Sequence, residues 1–264
     1  MTTTTDTLSA NKELVAYVFD QLFSHANAAV IDTHFSPDYV QHSPAAGDGL
    51  AGLHGFIAFA KTTFPDSRAT VHHLFAEGDL VVVHSNIVAV PQTPGFAAID
   101  IFRVVDGVIV EHWDASSEAP EETLSGNDLY STLSLPVDAA PDPAADAEVS
   151  RDVAVRLVRA LGVDHDASAV DDLVAADVVQ HDAAIGAGLE GLRDAAKAPG
   201  RHDVEITRVI AEGDYVAVHG HWHFADDDGV AVITILRVRE GKVVEQWAAR
   251  QPVPAASAND NGMF

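Results

Sequence analysis

The chain repeats itself. Tyr39-Val40-Gln41-His42 returns as Val178-Val179-Gln180-His181, and Gly49-Leu50-Ala51-Gly52-Leu53 as Gly188-Leu189-Glu190-Gly191-Leu192. Ala76-Glu77-Gly78-Asp79 returns as Ala211-Glu212-Gly213-Asp214, and His84 as His219. Phe102-Arg103-Val104-Val105-Asp106-Gly107 returns as Leu236-Arg237-Val238-Arg239-Glu240-Gly241, and Glu111-His112-Trp113 as Glu245-Gln246-Trp247. The spacing between copies drifts by a few residues, as small loop insertions would make it. A period this long, in a chain of 264 residues, means two tandem domains of ordinary size and not a solenoid. Val137–Asp146 is rich in Pro, Ala and Asp, lacks apolar periodicity and reads as a connector. The expected domains are therefore 1–136 and 147–264, joined by a linker over 137–146, with 118–135 as a tail of the first domain.

Each copy carries the same order of elements. Leu14, Val15, Val18, Phe19 and Leu22 recur at helical spacing, as do Val153, Leu157, Val158 and Leu161. A second short helix is expected over Ala29–Phe35 and Ala167–Ala175, and a third from Gly49 and from Gly188. Four runs rich in Val, Ile and aromatics follow, at 68–77, 79–90, 96–105 and 108–117, with partners at 203–212, 214–225, 230–239 and 242–250. Glu77-Gly78-Asp79 and Asp106-Gly107 are hairpin turns in which glycine supplies positive φ. Helices followed by an antiparallel meander make an α+β domain. The curved antiparallel sheet wraps over three helices as a cone, whose open end is a natural pocket for a small molecule.

Composition narrows the function. The chain has 40 Asp+Glu against 15 Lys+Arg, a formal net charge of −25. Such a surface repels phosphates, which argues against nucleic acid and anionic membranes as partners. Cysteine is absent, so disulfides, thiolate metal sites and cysteine nucleophiles are excluded. Met1-Thr2-Thr3-Thr4-Thr5-Asp6 has neither the basic nor the apolar region of a signal peptide, and no apolar run reaches the roughly 20 residues of a membrane span. A cytoplasmic location is expected.

Strand alternation selects the candidate chemistry. Asp100 shares a face with Ala98 and Phe102. His112 and Asp114 share one face of the last strand, and Glu111 and Trp113 share the other. His84 and Asn86 share a face, and His42 follows a short strand-like stretch. These residues in this order resemble the SnoaL-like proteins of the nuclear transport factor 2-like superfamily. The resemblance rests on Tyr39-Val40-Gln41-His42-Ser43-Pro44, Ile99-Asp100-Ile101-Phe102-Arg103 and Asp106–Asp114, on Gln251-Pro252-Val253-Pro254, and on the Asn-rich Ser257–Phe264. The branch most similar is that of predicted SnoaL-like aldol-condensation enzymes.

The resemblance implies a mechanism that uses no cofactor. A carboxylate on the last strand removes a proton alpha to a carbonyl, and the enolate attacks a second carbonyl. Asp114 matches the base, and Asp100 falls where polyketide cyclases carry a polar pocket residue. His42, His112 or Asn86 could donate to the developing oxyanion, and His84, Asn86, Phe102 and Tyr39 are candidate substrate-binding residues. An apolar cone raises a carboxylate's pKa by desolvation, as a carbon-acid base requires. The second copy has Thr234 for Asp100, Gln246 for His112 and Ala248 for Asp114, and is degenerate by this criterion. Single-domain relatives commonly pair, so the resemblance implies an intramolecular pseudo-dimer, with further oligomerisation left open.

Plainer readings stand beside these. Asp114 can cap a turn, Asp100 can pair with an arginine, and a buried histidine can merely satisfy a backbone group. Trp113 and Trp247, and Arg103 and Arg237, persist where the acids are lost, which favours packing and ion pairing over chemistry. His219, His221 and His223 fall on one strand face and make a minor alternative, a metal site. Asp226-Asp227-Asp228-Gly229 reads as a solvated turn. A hydrolase with carboxylate-activated water, or a non-catalytic ligand-binding or assembly protein, are the alternative functions.

Overall fold

Spacing at i, i+3 and i+4 gives the first helix, α1 (Thr4–Phe23), its buried stripe of Val15, Val18, Phe19 and Leu22. In this computed structural model, residues 4–134, 140–198, 201–224 and 228–264 are described. Residues 137–139 of the expected linker, and Asp226 and Asp227 of the acidic turn, lie outside the described residues. After α1, a single 3-10 turn at Ala28–Val30 leads into α2 (Ile31–His34), which runs directly into β1 (Phe35–Gln41). Helix α3 (Gly49–Thr63) precedes the meander β2 (Arg68–Glu77), β3 (Leu80–Val88), β4 (Phe96–Val105) and β5 (Val108–Glu118).

The second copy follows the same plan. Helix α4 (Ala147–Gly162) is capped by Asp146, whose side chain accepts from the amides of Glu148 and Val149. Then come α5 (Ala167–Leu173), β6 (Val174–Gln180), α6 (Gly188–Lys197), β7 (Arg201–Glu212), β8 (Tyr215–Phe224), β9 (Val230–Arg239) and β10 (Lys242–Pro252). The strand order is β1-β5-β4-β3-β2 in one sheet and β6-β10-β9-β8-β7 in the other. Among the described residues no helix is long and apolar enough to cross a membrane.

The meander is antiparallel as expected, but each sheet is mixed. β1 lies parallel to β5, and β6 lies parallel to β10. This corrects the expectation of a purely antiparallel sheet. A parallel pair needs a long crossover, here the α3 helix and three meander strands, so nothing local to residues 35–41 announces the pairing.

Two repeated glycine motifs have physical reasons. Asp106 and Gly107 both take positive φ, 50° and 78°, and Glu240 and Gly241 take 50° and 74°, as a two-residue type I′ hairpin demands. A Cβ on Gly52 would come within 1.9 Å of the Gly47 carbonyl oxygen, and one on Gly191 within 1.9 Å of that of Gly186. The Gly-Leu-x-Gly-Leu repeat therefore lets the start of α3 or α6 press its backbone against the preceding loop.

The compact units do not follow the sequence boundary. Unit 1 is Met1–Glu118 with Pro254–Phe264, and unit 2 is Ala119–Val253. Residues 119–134, expected as a tail of the first domain, pack within unit 2 and contain no helix. The segment after β10 packs within unit 1. The two repeats have thus exchanged the segments that follow their last strands. Each unit has its own core. Unit 1 gathers Val15, Phe19, Ile31, Ile57, Val83 and Phe102, and unit 2 gathers Leu157, Val170, Leu192, Trp222 and Leu236.

Candidate active site

Strand register decides which side chains meet in unit 1. Val83, Asp100 and Asp114 are aligned across β3, β4 and β5, and Val81, Phe102, His112 and Gln41 form the neighbouring row. Val81, Val83 and Phe102 belong to the core with α1, so both rows face the helices. Asp100 and Asp114 are direct cross-strand neighbours, which places their Cα atoms about 5 Å apart.

One connected polar network occupies this face. His112 Nε2 lies 3.0 Å from Asp100 Oδ1, and His112 Nδ1 lies 2.9 Å from Gln41 Oε1. The Ser43 backbone N–H also donates to Gln41 Oε1, at 2.9 Å. A backbone N–H can only donate, so the atom it meets is the amide oxygen, and His112 Nδ1 must carry a hydrogen. His112 therefore meets Asp100 through Nε2, with one proton held between ring and carboxylate. Gln41 Nε2 donates to the Tyr39 hydroxyl oxygen at 3.0 Å, which leaves the tyrosine its own hydrogen to donate. Ser43 Oγ donates to Asp114 Oδ2 at 3.2 Å. Phe102 stacks on His112, ring centres 4.5 Å apart.

Three groups remain unpaired. Asp114 Oδ1, Asp100 Oδ2 and Ser85 Oγ are buried without a hydrogen-bond partner. Buried polar atoms are nearly always paired, so two such oxygens on adjacent carboxylates stand out. Burial raises the Asp114 pKa to about 6. The charge of His112 opposes the rise, Asp100 adds to it, and the Ser43 hydrogen bond moderates it. Burial works against a charge on His112, but the hydrogen bond to Asp100 and the two carboxylates hold its pKa above the usual imidazole value. Tyr39 is pushed well up by burial and by Asp114, Asp100 and Asp48, so it stays a hydrogen-bond donor.

Of the residues predicted from sequence, the structure brings together Asp100, His112, Asp114, Tyr39 and Phe102. It does not bring in His42, His84 or Asn86, which lie on the opposite sheet face. His42 stacks on Trp113 at 4.9 Å, donates from Nδ1 to the Gly262 carbonyl at 2.9 Å and meets Glu111 Oε1 through Nε2 at 3.0 Å. Both its nitrogens are committed there. His84 is opposite Ile99, one residue out of step with Asp100, and its Nδ1 lies 2.8 Å from that of His73. Asn86 donates to the Pro94 carbonyl at 3.2 Å and ties the β3–β4 connection. Asp100 pairs with His112 and not with an arginine. Arg103 bonds Asp79 at 2.8 Å and Glu111 at 2.9 Å, and Arg237 bonds Asp214 at 2.8 Å, the expected structural ion pairs.

Sequence reasoning missed Gln41, Ser43 and Ser85. Gln41 sits inside the repeated Gln-His dipeptide, where the histidine drew the attention. Ser85 stands between the two residues that were chosen and so has the parity they lack.

The same positions in unit 2 have been rebuilt. Thr234 and Ala248 are aligned where unit 1 has Asp100 and Asp114, and Leu236 and Gln246 replace Phe102 and His112. Gln180 still accepts from the backbone N–H of residue 182, at 2.7 Å, but Val178 stands in place of Tyr39. Arg250 instead reaches Asp182 from Nε, at 2.9 and 3.1 Å, and lies over the Trp222 ring at 5.6 Å. Asp182 is 1 % exposed. Leu157, Trp222, Thr234, Gln246 and Arg250 line a small cavity beside this pair.

Among the described residues no three His, Asp or Glu side chains gather as a metal site. His221 and His223 stand with ring centres 3.9 Å apart. His221 Nε2 donates to the Asp228 carbonyl at 2.8 Å, while His219 lies 3.4 Å from Arg208. Of the three histidines, His221 and His223 are thus in ring contact while His219 is engaged with Arg208.

Each of the two repeats is an α+β unit with a five-stranded sheet over helices, and in unit 1 carboxylates line the interior face. Residues 15–112 and 154–246 each match the SnoaL-like domain, and the chain belongs to that family. No protein of curated function matches it. Among solved structures, IdmH of Streptomyces antibioticus, described as a candidate polyketide cyclase, is 28 % identical. The match covers 40 % of this chain and 91 % of IdmH, with a TM-score of 0.35. TsrD of Streptomyces laurentii is 23 % identical over 41 % of this chain and 89 % of its own, with a TM-score of 0.36. A protein of Kribbella flavida described as a candidate ketosteroid isomerase is 23 % identical over 42 % and 87 %, with a TM-score of 0.36.

Proposed function

We propose that unit 1 is a small-molecule enzyme that works by acid–base chemistry on a carbon acid, using no cofactor. The Asp114 carboxylate takes a proton from a carbon alpha to a carbonyl. The C–H bond breaks, Asp114 becomes the neutral acid, and the electron pair is left as an enolate. Tyr39 is the group available to donate to the enolate oxygen, while His112, both of whose nitrogens are engaged, holds Asp100 in place. The enolate then adds to a second carbonyl and the resulting alkoxide is protonated, an aldol-type closure. Alternatively it takes the proton back at another carbon, an isomerisation. Either course returns Asp114 to the carboxylate. Polyketide-like β-dicarbonyl compounds suit this chemistry, and a cyclase, isomerase or lyase all share its first step.

One observation carries the reading: Asp114 Oδ1 is buried without a partner on a carboxyl whose pKa is raised to about 6. A base so tuned is half ionised near pH 6, mostly carboxylate at neutrality, and a stronger base there than an ordinary aspartate. Unit 2, with Thr234 and Ala248 in place of the acids, is read as non-catalytic.

The test is hydrogen–deuterium exchange at the alpha carbon of a panel of β-diketones in D2O, followed by NMR. Wild type is expected to accelerate exchange, with an acidic limb near pH 6. Asp114→Asn is expected to lose about 10²–10⁴-fold of the acceleration, the usual contribution of a general base. Equal exchange by wild type and Asp114→Asn would remove the proposal.

A further inference from the structure

The segment that follows β10 makes its polar contacts on one short stretch of unit 1. Asn261 Nδ2 donates to the Gln41 carbonyl at 2.9 Å and to Asp48 Oδ1 at 2.8 Å. Asp48 Oδ1 also accepts the Gln41 backbone N–H at 3.0 Å, so Asn261 and Asp48 together grip both backbone groups of Gln41. Asn259 Nδ2 donates to the carbonyls of Ser43 at 2.8 Å and Ala46 at 2.9 Å, and the Ala258 N–H donates to the Pro44 carbonyl at 2.9 Å. Asn259 and Met263 are buried and anchor the segment. Two of the residues it holds, Gln41 and Ser43, have side chains that build the site. Gln41 fixes the hydrogen on His112 Nδ1 and orients Tyr39, and Ser43 donates to Asp114.

We propose that Asn259 and Asn261 are positioning residues for the unit 1 site. By pinning the backbone of residues 41–43 from behind, they set the tautomer of His112 and the aim of Ser43. The chemistry of one repeat thereby depends on a segment supplied by the other. The catalytic consequence rests on the acid–base reading above; the geometric claim does not.

Unit 2 supplies the control. Asn127 Nδ2 donates to the Gln180 carbonyl at 2.9 Å, as Asn261 does to Gln41, and His181 Nδ1 donates to the Asp128 carbonyl, as His42 does to Gly262. Leu129 is buried where Met263 is buried in unit 1. There the matching asparagine holds a glutamine that faces Gln246 and not a histidine, and the buried carboxylate nearby, Asp182, is paired with Arg250.

The experiment is ¹⁵N NMR of the histidine rings in the full chain, with His112 assigned by loss of its signals in His112→Gln. In wild type, His112 is expected to keep hydrogen on Nδ1 across the neutral range. Asn261→Asp keeps the shape but replaces a donor by a carboxylate facing two acceptors. It is expected to destroy that fixed signature and to lower alpha-carbon exchange by up to about a hundredfold, the scale set by small misplacements. Asn261→Ala is expected to do the same to a lesser degree. Asn261 is exposed, so neither change removes core packing, and Asn259→Ala provides an independent second variant. Asn127→Ala is expected to leave His112 unchanged. An unaltered His112 signature in Asn261→Asp and Asn259→Ala would overturn the proposal. A changed signature with exchange insensitive to Asp114→Asn would keep the positioning role and discard the acid–base reading.

Discussion

The interiors of the two units share a scaffold and differ in what they bury. In unit 1 the row across β4 and β5 carries Asp100 and Asp114, and two carboxylate oxygens are left without partners. In unit 2 the row carries Thr234 and Ala248, and the buried charge nearby is Asp182, satisfied by Arg250. Burying a carboxylate is unfavourable unless it is paired. Unit 2 pairs its acid with a cation, whereas unit 1 leaves part of the demand unmet and so keeps a carboxyl whose proton is easily moved.

Three variants bear on that contrast, beyond the two tests above. The largest stability effect belongs to unit 2. Asp182→Ala strands the half-buried Arg250 and is expected to destabilise this unit by about 3–5 kcal/mol, the usual result of breaking a buried pair, measured by chemical denaturation. A loss below about 1 kcal/mol would mean that the pair is not the structural substitute described here. Next comes Asp114→Asn, which is expected to stabilise unit 1 while disabling it. The folded-state pKa of about 6 lies above the unfolded value of 3.8, so the folded state binds the extra proton between them. Stability therefore rises as pH falls from above 6 toward 4, and the burden of the charge is largest above pH 6. Asn removes it, with an expected gain of about 1–3 kcal/mol at pH 8 that shrinks by pH 5, read from melting temperatures at the two pH values. A pH-independent gain would mean that Asp114 has an ordinary pKa. The smallest effect expected is from grafting. Thr234→Asp with Ala248→Asp places both acids in unit 2 but leaves Gln246 and Val178 where unit 1 has His112 and Tyr39. Alpha-carbon exchange should stay within about twofold of wild type, since acids without their orienting network lack the geometry. A rise of tenfold or more would show that the carboxylates suffice alone.

The fold was legible because its signals are local and occur twice. Hairpin turns, helical stripes and strand alternation each lie within a dozen residues, and the second copy checks the first. Alternation also placed His112 and Asp114 on one face and Asp100 with Phe102; that the two sets share a face comes from the cross-strand register. Alternation does not speak for His42, which stands just past the end of β1. A better signal was present: His42 survives as His181, with Trp247 and Glu245 beside it, in the copy that lost its acids. Persistence of that kind marks packing, as it did for the tryptophans. The exchange of segments was hidden for another reason. A Pro/Ala/Asp stretch marks where the chain is extended, not which core its neighbours join. The match of Asn127-Asp128-Leu129-Tyr130 with Asn261-Gly262-Met263-Phe264 is too short to stand out beside the longer repeats.

Crossed segments also govern how this molecule can be taken apart. A fragment severed at the linker would forfeit Asn259, Asn261 and Met263 and would trail residues 119–134 bereft of their seat. Dissection of this protein therefore calls for circular permutation, with 254–264 spliced to its host, before the solitary half can be judged on its own merits.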